Sequence, residues 1–293
     1  MSLRGCRYHL RQWGNPAGEP LVLAHGWMDV AASWQFMVDA LSEDFLQSRR
    51  IIAFDWRGFG LTETPATDSY WFPDYLGDLD ALLDAISPEQ AIDLVGHSMG
   101  GNITMMYAGV RPARIRRLVN LEGFGMPATR PAQAPGRLGQ WLDELRQLRQ
   151  GEMALKTYAE AEAVSQRLIK TNPRLGEDKA AWLARHWAQA DASGQWRILG
   201  DAAHKIINPS LYRVEEALEI FKRIGAPVLA VEASDDSLGQ WWKGKYTLDE
   251  YHERLKAVPQ VTVARIEDAG HMLHHDQPLA LAKMLEAFFS TPL

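Results

Sequence analysis

A single cysteine, Cys6, stands among 293 residues. No disulfide can close within such a chain, and no zinc site can be built on a set of thiolates. The expected compartment is a reducing one. Residues 1–5 show no charged-then-apolar opening and no stretch approaches ~18 uninterrupted apolar residues, so the expectation is a cytoplasmic protein with no membrane partner. A basic excess is missing as well: 31 Lys and Arg face 37 Asp and Glu, a net charge of −6. The short basic runs at 49–50 and 114–117 precede apolar stretches and read as solvated strand edges, so nucleic acid is not an expected partner. Internal repeats, low-complexity tracts and phosphate-cradling glycine loops are also lacking, which leaves no call for a nucleotide.

What is present suits one large core, with a hydrophobic share of 46%. Short runs rich in valine, isoleucine and leucine recur at 21–24, 51–54, 92–95, 118–121, 227–231 and 261–266. Their hydrophobicity is continuous rather than alternating, which predicts strands buried on both faces in a parallel sheet covered by helices. Helices are expected at 34–41, 75–86, 99–110, 248–257 and 279–289, the fourth opened by the capping box Thr247-Leu248-Asp249-Glu250. Residues 7–13 alternate before the turn Gly14-Asn15-Pro16 and predict an antiparallel edge hairpin.

The alternation of strand and helix breaks between about residues 125 and 218. Pro127, Pro131 and Pro135 make 126–136 a linker, and only helical patterns follow: one through Leu138, Trp141, Leu142, Leu145 and Leu148, then 152–170 and 177–190. The expected organisation is a core at 1–124, a helical cap insertion at 125–219 and the rest of the core at 220–293.

Gly96-His97-Ser98-Met99-Gly100 lies directly behind the apolar run 92–95 and reads as strand, tight turn, helix. Side chains two positions before and two after the apex of so sharp a turn would collide, and glycine removes them. Ser98 is left at a helix N-terminus, where unpaired N–H groups favour developing negative charge. A serine hydroxyl needs a base, most economically a histidine oriented by a carboxylate. His271 is the candidate, since it follows the last strand run and Gly270 frees the loop that carries it. His274, His275 and Asp276 could suggest a metal, but with His271 engaged as base and Asp276 placed to cap the helix containing Pro278, no metal is expected. The orienting acid is expected at the end of an intervening strand. Asp236 is favoured, with Asp235 and Glu122 as alternatives. Oxyanion donors are expected from the Met99 amide and from the amide of Trp27, in the loop His25-Gly26-Trp27-Met28.

Together these residues resemble the α/β-hydrolase fold superfamily, in its branch with a histidine-glycine oxyanion loop. The resemblance spans about residues 8–124 and 220–290. It is carried by His25-Gly26-Trp27, Asp55-Trp56-Arg57-Gly58-Phe59-Gly60, Gly96-His97-Ser98-Met99-Gly100-Gly101 and Gly270-His271, in the chain order serine, acid, histidine. It implies an α/β fold with a mostly parallel sheet and an inserted helical cap, in which Asp55 and Arg57 shape a loop. Relatives that open epoxides or displace halides use an aspartate at the apex, and the serine here disfavours those reactions. The expected activity is hydrolysis of a small or medium-chain carboxylic ester or related acyl compound through an acyl-enzyme on Ser98, without a cofactor. Carbon–carbon, thioester and lactone cleavage use the same groups, and a ligand-binding receptor retaining the fold is the rival from another class. Trp141, Trp182, Trp187 and Trp196 are candidates for an apolar pocket, and oligomeric state is left open.

Overall fold

The computed structural model describes residues 1–291. Seven strands form the central sheet: β1 (Leu10–Gly14), β2 (Glu19–Ala24), β3 (Arg49–Phe54), β4 (Ile92–His97), β5 (Ile115–Leu121), β6 (Val228–Ala233) and β7 (Val261–Ile266). In space they run β7-β6-β5-β4-β2-β3-β1. Every neighbouring pair is parallel except β1 with β3. All positions of β4 and β6 are buried, which is why their sequences read as unbroken apolar runs. Successive side chains leave opposite faces. Val22, Leu94 and Leu118 therefore pack with Leu79 and Ile103 on one side, while Leu23, Val95 and Val119 pack with Trp34, Leu281 and Leu285 on the other.

Several local expectations are corrected. Leu10–Gly14 is an antiparallel edge strand, but its partner is β3 and not the strand that follows it, so no hairpin forms at Gly14. Asn15 N–H bonds the carbonyls of Leu46 and Arg49 and steers the chain across to β2. In place of one helix at 34–41 the chain forms a turn of 3-10 helix, Ala31–Trp34, followed by the short helix Gln35–Asp39. A further helix, Glu43–Ser48, is capped by the Ser42 hydroxyl.

The segment between β5 and β6 is not helical throughout. Its helices Ala134–Arg149, Ala161–Thr171 and Glu177–Trp187 are joined by a small antiparallel sheet of Thr157–Tyr158, Ala188–Ala190 and Trp196–Ile198. The turn chemistry explains the difference: Asp191 accepts from the amides of Ser193 and Gln195, and Gly194 takes a φ of 81°, so the chain reverses and 196–198 pairs back on 188–190. Pro135 does not exclude a helix either, because it occupies the first turn, where its missing N–H costs nothing. No helix among the described residues is long and apolar enough to cross a membrane.

At the N-terminal end of the sheet Asp93, fully buried, accepts from Arg49 Nη1 at 2.8 Å and from Arg116 Nε and Nη2 at 2.9 and 2.6 Å. Removing the carboxylate would leave the Arg49 guanidinium, 7% exposed, with the Phe289 carbonyl as acceptor and the solvated Glu19 as its remaining counter-charge. Asp93→Ala should therefore cost about 3–5 kcal/mol of stability in urea titration. A loss below about 1 kcal/mol, the range of an exposed pair, would contradict this account.

Candidate active site

The loops after β2, β4, β5, β6 and β7 meet at the C-terminal edge of the sheet, where strands of an open α/β sheet present their ligand-facing turns. Ser98 stands between β4 and the helix Met99–Val110 with φ 52° and ψ −116°, a conformation rarely adopted by a residue with a side chain. The two glycines make it possible. A Cβ at Gly96 would sit 2.5 Å from the Gly100 carbonyl oxygen, and one at Gly100 would sit 2.4 Å from that of Ala24. Ser98 N–H bonds the Leu121 carbonyl at 2.8 Å, which fastens the bend to the end of β5.

The Ser98 hydroxyl lies 2.9 Å from His271 Nε2, and His271 Nδ1 lies 3.2 Å from Glu122 Oε2. The expected pairing of Asp236 with His271 is corrected by this geometry. Asp236 is exposed and accepts from the Gly239 amide at 2.8 Å, capping the helix Ser237–Trp242. Asp235 is bound by Arg174 at 2.6 and 3.2 Å. Glu122, 3% exposed, follows β5 with a φ of 54°, and that backbone reversal turns its side chain towards the imidazole. Its other oxygen accepts from Ala233 N–H at 2.7 Å. Glutamate carries one more methylene than aspartate, and the reach from a neighbouring strand end uses it.

Burial pushes the Glu122 carboxyl up to about 7, with the nearby carboxylates of Asp236 and Asp235 adding to the shift, while the Ala233 amide and the Ser237 hydroxyl oppose it. Burial also pushes the His271 imidazole down to about 4, so it rests neutral and able to accept a proton.

Gly26 brings the 25–28 loop against the Ser98 turn: a Cβ there would lie 3.2 Å from Ser98 Cβ. Trp27 follows, and Met28 then takes a φ of 54°. Both ring nitrogens of His25 are engaged: Nδ1 donates to the Gly26 carbonyl at 2.7 Å and Nε2 accepts from Trp56 N–H, in the loop after β3, at 2.9 Å. Asp55 accepts from the amides of Ala31 and Leu61 and from His9, tying three loops together. Arg57 pairs with Asp78 on the helix Phe72–Ile86.

Two contacts had no signal in the linear pattern. His97 Nε2–H donates to the His271 carbonyl at 2.8 Å, and the Trp241 ring meets the His271 ring edge-on at 4.3 Å. Asp276 accepts from the Gly270 amide at 2.9 Å and so holds the histidine loop, rather than capping the helix Pro278–Ser290. Of the tryptophans expected near a pocket, Trp182 packs on Phe36, Trp187 and Trp196 pack around the small sheet, and Trp141 donates to Ser69. A cavity of about 220 Å³ lined by His9, Arg11, Asp55, Arg185 and His186 lies elsewhere, without Ser98 or His271 in its wall.

The pattern of the alpha/beta hydrolase fold matches residues 19–278. A serine hydrolase-like protein of Danio rerio is 25% identical over 94% of this chain and 83% of its own length. A 2-hydroxymuconate semialdehyde hydrolase of Pseudomonas sp. strain CF600 is 36% identical over 49% of this chain and 50% of its own. Among solved structures, a hypothetical protein of Pseudomonas aeruginosa PAO1 superposes with a TM-score of 0.84 at 25% identity, over 99% of this chain and 98% of that one. With the sheet order and the serine turn, the match over most of its length means that this chain belongs to the alpha/beta hydrolase fold family.

Proposed function

We propose that the chain is a serine hydrolase that cleaves a carboxylic ester or related acyl substrate of small or medium size through an acyl-enzyme. The observation that carries this reading is the unbroken line from Ser98 Oγ through the His271 ring to Glu122. His271 Nε2 takes the hydroxyl proton as Ser98 attacks the carbonyl carbon, then delivers it to the leaving group. Water repeats the attack on the acyl-enzyme with the same imidazole as base. Glu122 replaces Asp236 as the orienting acid: it accepts from Nδ1–H, which keeps the Nε2 lone pair directed at the hydroxyl. The amides of Trp27 and Met99 are the proposed oxyanion donors, on the loop that Gly26 seats against Ser98 and at the helix N-terminus. Asp236 acts at one remove, by capping the helix that carries Trp241 to the imidazole. The segment 125–219 is proposed as a cap, since Trp182 packs it on Phe36 and Arg174 ties it to Asp235 in the loop after β6.

Carbon–carbon bond hydrolysis is a second reading, favoured by the 36% identity to the semialdehyde hydrolase over half of each chain. Parallel assays on p-nitrophenyl acyl esters and on a vinylogous 1,5-diketone separate the two: the ester reading fails if only the diketone turns over. Reaction with a fluorophosphonate should label wild type rapidly and Ser98→Ala not at all. An unlabelled wild type would instead support a binding protein with this fold. Glu122→Gln should lower kcat/KM by about 10³–10⁴, and Asp236→Asn by only a few-fold. The reverse order of effects would return the acid to the loop after β6.

The pH profile tests the same pair. Because burial raises the Glu122 carboxyl to about 7, acidification protonates it first, and a neutral carboxyl no longer holds Nδ1–H against its oxygen. The ester kcat/KM should therefore fall with a one-proton slope as pH drops through about 7. A profile flat down to pH ~5 would show that the carboxylate stays charged there and overturn the raised carboxyl, leaving the choice of acid to the two substitutions.

A further inference from the structure

Behind the turn that carries Ser98, three buried side chains meet without satisfying one another. Asp29, His97 and His274 are 5%, 1% and 0% exposed, and one ligand-type atom from each lies within 4.8 Å of the others. Asp29 Oδ2 and His97 Nδ1 lack a hydrogen-bond partner, whereas buried polar atoms in folded proteins nearly always have one, and His274 presents Nε2 to Asp29 while its own Nδ1 is also unpartnered. The contrast with His25, whose two ring nitrogens are both engaged, sets this cluster apart.

We infer that Asp29, His97 and His274 form a binding site for a divalent transition-metal ion of the zinc class. His97 already has the arrangement of a metal ligand: its Nε2–H is spent on the His271 backbone carbonyl at 2.8 Å, which fixes the tautomer and leaves Nδ1 with an unpartnered lone pair. Two imidazoles and one carboxylate suit zinc and its neighbours, while calcium and magnesium would need a shell of oxygens.

His274 Nε2 lies 3.9 Å from Asp29 Oδ2. Bonds of about 2.0–2.1 Å in a tetrahedral site put ligand atoms about 3.3 Å apart, so the three groups need to close by roughly an ångström. Ser33 Oγ makes only a long 3.4 Å contact to His274 Nε2, which an ion would replace, and keeps its 2.5 Å bond to His275 Nε2. The bond from His97 to the His271 carbonyl ties the site to the loop of the proposed base, although the inference itself does not rest on the catalytic reading.

The 293-residue chain, stripped with EDTA, is titrated with Zn²⁺ by calorimetry and with Co²⁺ by visible absorption. One ion per chain is expected, with the d–d bands of a four-coordinate nitrogen and oxygen site. Asp29→Asn and His274→Phe should each weaken binding at least about tenfold, while His271→Ala, which removes the nearby imidazole outside the site, should leave it unchanged. Absence of binding, or binding that survives Asp29→Asn and disappears in His271→Ala, overturns the proposal. Should the substituted chains fail to fold by circular dichroism, zinc X-ray absorption on the unmodified protein decides. Two imidazoles in the first shell uphold the site, and one or none refutes it.

Discussion

The backbone conformation of Ser98 is the constraint on which the rest of this edge is organised. A residue with a side chain held at φ 52° and ψ −116° stores on the order of 1–3 kcal/mol, and only surroundings that over-determine it can keep it there. They do so from three directions: β2 presses on Gly100, the helix Met99–Val110 starts at once, and Leu121 receives the Ser98 amide. Glycines at 96 and 100 are the condition for this packing, since a Cβ at either would meet backbone oxygen at 2.5 Å or less.

The same device recurs around the site. Met28, Glu122 and Asp268 are also non-glycine residues with φ between 53° and 54°, each in a turn just beyond a central strand. Parallel strands all point their C-terminal ends to one edge, and a chain that must aim a side chain there has only one or two residues in which to turn. Left-handed backbone is the short way to do it. The turn at Ser98, the loop after β2 and the placement of Glu122 are therefore products of a common geometric demand.

Electrostatics then divides the acidic residues of this edge. Glu122 is buried against the imidazole, whereas Asp235 is neutralised by Arg174 and Asp236 is spent on a helix cap. Their charge still reaches Glu122 and raises its carboxyl. Burial is the main cause of that shift and charges placed for other purposes add to it, so Asp235 and Asp236 in the loop after β6 bear on the group beside His271 without touching the imidazole.

Much of the core was legible in the sequence because its signals are local and strong. Unbroken apolar runs such as 92–95 can be buried only on two faces, and Gly-x-Ser-x-Gly after such a run leaves few other backbone paths; both the parallel sheet and the meeting of Ser98 with His271 follow. The partner of β1, the small sheet at 188–198 and the choice of Glu122 were decided by tertiary structure. Strand pairing joins residues far apart in the chain, as Leu10 joins Phe54, and no local pattern encodes it. The acid was undetermined for a similar reason: three carboxylates stood at strand ends, and what separates them is a backbone reversal at Glu122, a distant arginine at 174 and a helix start at 237. Sequence determined which chemistry could assemble at this edge, and folding in three dimensions selected which carboxylate reached the imidazole.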